Sequence, residues 1–282
     1  MLSLLTDTYR AITLAFFLSV PLSHVAVASD PTNLQRFNFP GGVATFNIAK
    51  QSNDIPEVKY GLIEPAIIDQ GKYWSVVIGI GLQTLPGQYV AYIKHGIKGA
   101  SGRHQKLSVD HFSYPYLKVK VGQKDTFSAL YKRHSSMSSI DFANTQQPAF
   151  PLRLPLAGTW SNFFGHSIST NNDNTLLIPN SVSLTTTQRA LVVSPQDAIV
   201  SKIEVSANGT STVFLDHGRG VYSIISGLSD LTVEISNGIV AGAVIGKVSS
   251  DNNNINNTAR LIWQVVMNGE YVSPLLLTML TL

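Results

Sequence analysis

Two stretches of this chain, residues 37–120 and 152–282, consist of short runs rich in Val, Ile, Thr and aromatic residues, separated by Gly, Pro and Asn. That punctuation constrains the fold more than any other feature. A strand turns every second side chain to one face, so about four to eight residues suffice to build one. An amphipathic helix needs apolar residues at helical spacing over several turns, and no helical period longer than three turns runs through the second stretch. The chain therefore reads as mainly β.

In the first stretch, residues 42–48 alternate around Val43 and Phe46, and 73–80 are dense in Val, Ile and aromatics. Residues 58–68 form a longer β-prone run that contains Pro65, which predicts an edge strand or a bulge because Pro cannot donate to a ladder. Pro86-Gly87 marks a turn, 88–94 set Tyr89, Ala91 and Ile93 against Val90 and Tyr92, and 117–121 close the set. This spacing predicts an Ig-like β-sandwich over residues 29–121. Residues 122–150 predict a linker with one short helix at 127–133. A C-terminal β-sheet domain is expected over 151–282, with strands at 190–193, 198–205, 212–216, 221–225, 232–235, 244–248 and 261–267. The run 249–258 is almost wholly Asp, Asn, Ser and Thr and predicts a solvated loop.

Composition narrows the function classes. Hydrophobic residues make up 44% and charged residues 13% of the 282 residues, enough to bury a core. The formal charge of +3 is too small and too evenly spread to suggest nucleic acid. There is no cysteine, which excludes disulfides, thiolate catalysis and Cys-ligated zinc. No G-x-S-x-G or phosphate-loop pattern occurs.

At the N-terminus, Arg10 precedes an apolar run broken at Pro21 that ends in Ala26-Val27-Ala28. A positive charge, a short apolar core and a small-residue site predict a secretory signal peptide over 1–28, cleaved near Ala28. The run falls short of the ~20 apolar residues of a membrane-spanning helix, and no later segment is expected to span. The mature chain is expected in the periplasm or secreted.

A series of motifs in the second half gives a further reading. Pro155-Leu156-Ala157-Gly158 and Phe164-Gly165 open it. Val192-Val193-Ser194-Pro195-Gln196-Asp197-Ala198 and Val213-Phe214-Leu215-Asp216-His217-Gly218-Arg219-Gly220 follow. Val221-Tyr222-Ser223, Leu228-Ser229, Ile239-Val240-Ala241-Gly242 and Trp263-Gln264-Val265 continue the order, and Asn268-Gly269-Glu270-Tyr271-Val272-Ser273-Pro274 ends it. Together these resemble the lysostaphin/LytM-type peptidoglycan endopeptidases over residues 151–277. Pro40-Gly41-Gly42-Val43-Ala44 is similar to the start of the β-sandwich that many Gram-negative LytM-type proteins carry before the peptidase domain.

The resemblance implies one zinc, held by the His and Asp of an H-x-x-x-D motif and the second His of an H-x-H strand, with two further His assisting. Here the first His falls on Asn180 (or Pro179), and the Asp on Ser183 (or Leu184). The H-x-H strand reads Arg260-Leu261-Ile262, and the assisting His of "Y-x-H-L-S" falls on Gly227. Ser, Ile and Gly are not useful zinc ligands, and an Arg cation repels a metal. The expectation is a degenerate domain with zinc absent and no catalysis. His217 is expected to be a packed or hydrogen-bonded turn residue. Such a domain would bind peptidoglycan or activate a cell-wall amidase through the former groove, lined by Asn180, Ser183, Gly227, Arg260 and Ile262. A peptidoglycan endopeptidase with substituted ligands and a structural envelope component remain as alternatives.

Overall fold

A computed structural model describes residues 37–94, 102–119, 144, 146–170, 173–187, 189–249 and 258–282. The expected signal peptide, the helix at 127–133 and all but the ends of the loop at 249–258 lie outside the described residues.

The first six strands form two antiparallel three-stranded sheets. One joins β1 (Val43–Ala49), β4 (Tyr73–Gly79) and β3 (Ala66–Asp69). The other joins β2 (Glu57–Lys59), β5 (Gly87–Lys94) and β6 (Arg103–Val109). Phe46, Trp74 and Ile78 from the first sheet share one core with Val58, Ile93 and Leu107 from the second, so the sheets pack as a sandwich. Alternation in β5 produces its share: Ala91 and Ile93 are buried while Val90 and Tyr92 face outward. The run 58–68 is not one edge strand. A turn with Gly61 at φ +60 and a Tyr60–Ile63 bridge cuts it, and its two ends enter opposite sheets. Pro65 then sits just before β3, where its missing N–H removes no ladder bond.

The strand expected to close the sandwich leaves it. β7 (Tyr116–Val119) runs parallel to β9 (Ser167–Thr170), which pairs antiparallel with β10 (Asp173–Leu177). The physical reason is packing: Leu117 joins Phe163, Leu177 and Ile262 around the buried Ile168.

The second half is dominated by one large antiparallel sheet. Its main path is β16 (Gly238–Ile239), β13 (Ala198–Val205), β14 (Ser211–Gly218), β15 (Val221–Ser229), β18 (Thr258–Met267), β11 (Val182–Thr187) and β8 (Trp160–Ser161). β12 (Leu191–Val193) pairs with β17 (Val244–Val248), and β19 (Glu270–Val272) folds back on β18. β14 is buried along its whole length, as a strand covered on both faces must be. Residues 232–235, expected as a strand, are not one. Thr232 reaches across singly, its N–H to Ile245 O (3.2 Å) and its Oγ1 to Val244 O (2.7 Å), and Ser236 at φ +71 then turns the chain. The described helix, Pro274–Leu277, is a single turn. No described helix is long and apolar enough to cross a membrane.

One core crosses the molecule. Val43, Ala66, Ile68 and Val77, on the outer face of the first sheet, pack with Leu215, Ile225, Trp263 and Met267. The backbones come close enough that a Cβ on Gly79 would stand 2.8 Å from Met267 Cβ.

Candidate functional site

β11, β18 and β15 lie side by side, and their register sets the site. Ser183 stands opposite Ile262 and Thr185 opposite Arg260, while Ser226 of β15 flanks Ile262 from the other side. Directly opposed residues share a face. Ser183, Arg260 and Ile262 therefore stand on one face, and Leu184 and Leu261 are buried on the other. Register selects Ser183 over Leu184 as the residue facing Ile262. Asn180 is buried just before β11, and its Oδ1 accepts a 2.7 Å hydrogen bond from Gln264 Nε2. Gln264 lies two residues beyond Ile262, on the same face.

Gly227 sits in a bulge of β15, where pairing skips from Thr212–Ser226 to Ser211–Leu228. Its φ is +89, and a Cβ there would stand 2.3 Å from Arg260 O. No side chain fits that position without movement of the main chain. Ser183, Gly227, Arg260 and Ile262 thus lie on the adjoining strands β11, β15 and β18, and Asn180 immediately precedes β11.

They do not fit a zinc ion. Zinc takes His nitrogen, Cys sulfur or carboxylate oxygen. Here the amide oxygen of Asn180 is engaged by Gln264, Ser183 offers a neutral hydroxyl, and Ile262 and Gly227 offer no donor. Among the described residues, no group of three or more His, Cys, Asp or Glu is placed to hold a metal ion.

The floor is partly covered: Ile262, itself half-buried, packs against the buried Ile168 of β9, as do Leu117, Phe163 and Leu177. Burying a side chain such as Ile168 contributes ~1.5–3 kcal/mol, which holds this cover down. Arg260 is half-buried and Thr185 exposed, which leaves them toward the rim. This packing has no local sequence signature, because it depends on parallel pairing between strands distant in the chain.

The opposite face carries a closed polar chain. His217 is fully buried at the end of β14. Its Nδ1 donates to Asp197 O (2.9 Å), which leaves Nε2 to accept from the Ser223 hydroxyl (2.9 Å). Trp263 Nε1 donates in turn to Ser223 Oγ (3.2 Å). Burial drives the His217 pKa down to about 4, so the ring is neutral at pH 7. This is the packed, hydrogen-bonded role expected for it, although no motif announced Ser223 as the relay. The neighbouring Asp216 accepts from Gly218 N–H (2.8 Å) and Tyr222 OH (3.0 Å), and burial raises its carboxyl above the ordinary range. His166 is half-buried beside the rings of Tyr114 and Phe163.

Residues 179–274 match the sequence profile of peptidase family M23. No curated protein matches the chain. Among solved structures, the fold superposes on a peptidase M23 candidate from Pseudomonas aeruginosa with a TM-score of 0.63 at 21% identity, over 86% of this chain and 94% of that one. The catalytic domain of the M23 protein EnpA from Enterococcus faecalis aligns at 12% identity and TM-score 0.34, over 43% of this chain and 94% of that one. That of lysostaphin from Staphylococcus simulans aligns at 16% identity and TM-score 0.32, over 39% and 80%. Residues 179–274 of this chain thus carry a domain that matches peptidase family M23, within a fold shared with the Pseudomonas aeruginosa protein.

Proposed function

We propose that this chain is a non-catalytic protein of the cell envelope, exported by its first 28 residues, which binds peptidoglycan or activates a cell-wall amidase through its M23 domain. The observation that carries this reading is Ile262. A hydrocarbon stands where the resemblance places a zinc-binding His, and it is packed into an apolar cluster. Gly227 supports it, since the main chain there leaves no room for an assisting His. With Ile262 half-buried against Ile168, partner contact falls mainly to the rim. Arg260 supplies the cation there, for a carboxylate on a wall peptide or on a partner's regulatory helix.

The test is dye release from labelled peptidoglycan sacculi, with the protein alone and with the host's amidases, each with and without chelator. The expected result is no release by the protein alone. Release that rises on adding the protein to an amidase identifies an activator, and co-sedimentation with sacculi without release identifies a wall binder. Release by the protein alone, abolished by chelator, would overturn the proposal.

A further inference from the structure

A cleft of about 630 Å³ opens away from the groove positions, between residues 55–67 and the turns at Arg219-Gly220 and Asn268-Gly269. That volume is in the range that takes a small ligand. The wall from residues 55–67 is mostly Ile, Leu, Val and Pro, and Leu62 within it is fully exposed. Arg219 and Asn268 stand across from it.

Both residues have left-handed main chain, φ +51 for Arg219 and +52 for Asn268, and each precedes a Gly with positive φ. Two-residue hairpin turns of this form favour Asn-Gly. Asn268 suits its turn and uses its side chain, Nδ2 donating to Glu64 O (2.5 Å) and to Arg219 O (3.3 Å). Arg219 has no such reason to be where it is. Its guanidinium makes no hydrogen bond or ion pair among the described residues, and its Nε is buried without an acceptor. Asn268 Oδ1 is likewise buried without a donor. Strain and an unpartnered N–H fall together on one cation at the wall of a cleft, the pattern expected where a residue is held for a ligand. Glu57 and Glu64 line the same cleft. Glu57 pairs with Lys59, and neither acid pairs with Arg219.

We propose that this cleft binds a short zwitterionic peptide. Its carboxylate meets the Arg219 guanidinium, its apolar side chain lies against the Ile63 and Leu62 wall, and its ammonium meets Glu64. The site shares no residue with the groove positions, so it stands or falls independently of the function proposed above.

The experiment is NMR titration of the full chain with the dipeptide Leu-Ala, its C-terminal amide and its N-acetyl form, repeated on Arg219→Asn and Glu64→Gln. The free dipeptide is expected to shift amides at residues 55–67, 219–220 and 268–269. The amide form should bind about tenfold more weakly, and the N-acetyl form several-fold more weakly. Arg219→Asn should lose dipeptide binding while its melting temperature rises, because Asn tolerates the left-handed turn. Glu64→Gln should weaken binding of the free dipeptide but not of the N-acetyl form. Absence of shifts at the cleft, equal binding of the amide or N-acetyl form, or a lower melting temperature for Arg219→Asn would each overturn the proposal.

Discussion

The two faces of β18 make different demands on their side chains. On one, Trp263 donates to Ser223, Ser223 to His217 and His217 to the Asp197 carbonyl, so every polar atom in the chain is used. On the other, Arg260, Ile262 and Gln264 face the positions where the resemblance places metal chemistry, and a hydrocarbon and a glycine stand there instead. Stability and chemistry therefore sit on opposite sides of the same strand. A sheet can keep its core while groove-side residues change, so a shared fold does not by itself imply a shared reaction.

Substitutions can break or sharpen that contrast. Trp263→Ala should be the costliest, destabilising by about 3–5 kcal/mol in urea unfolding, since it empties a fully buried site and removes the donor to Ser223. An equal cost for Ile262→Ala would erase the distinction between the faces.

Acid should act next, through the same polar chain. The folded-state pKa of His217 is depressed to about 4, so the unfolded chain binds its proton first as pH falls from 6.5. Stability should drop by roughly 3 kcal/mol between pH 6.5 and 4 and level off below. Asp216 acts with the opposite sign. Its raised pKa means the folded state holds the proton more tightly, so its contribution is present at low pH and lost as pH rises through the folded value. His217 carries the larger shift and sets the net direction. Urea midpoints across this range should show the fall, and His217→Gln should flatten it.

Gly227→Ala should cost about 2 kcal/mol by thermal melting, from left-handed strain and the contact with the Arg260 carbonyl. A neutral result would mean that the bulge relaxes and the position could accept a His after all. Smallest of all, Arg260→Ala should change stability by less than ~1 kcal/mol while weakening co-sedimentation with sacculi or amidase. Unchanged binding would remove Arg260 from the rim contact.

Much of the ladder could be read from local sequence. β13 and β17 begin and end where their Val- and Ile-rich runs meet turn residues, and β5 shows the alternation its residues predict. β11 has only two apolar residues, Val182 and Leu184, in six, too few to stand out as a strand in the surrounding Ser-, Asn- and Thr-rich sequence. β6 is hidden because its first half is polar on both faces: Arg103 and Gln105 share the face of the buried Leu107 and Val109, and His104 and Lys106 point outward. For the site, the resemblance left Ser183 or Leu184 at one ligand position, and the register sets Ser183 opposite Ile262. The apolar cover over Ile262 was not legible, because Leu117 and Ile168 become neighbours only through long-range parallel pairing. The Arg219 cleft was not legible either. It depends on two turns and a loop whose proximity no local pattern encodes.

The core that runs from Val43 and Val77 to Trp263 and Met267 has a consequence for cooperativity. Neither half has an apolar face of its own to spare. A fragment ending near residue 121 would expose Ala66 and Ile68 to water, and one beginning at 151 would lose Leu117 from the cluster around Ile168. The sandwich and the M23 sheet should therefore melt in a single transition, and each alone should behave as a sticky, loosely packed chain.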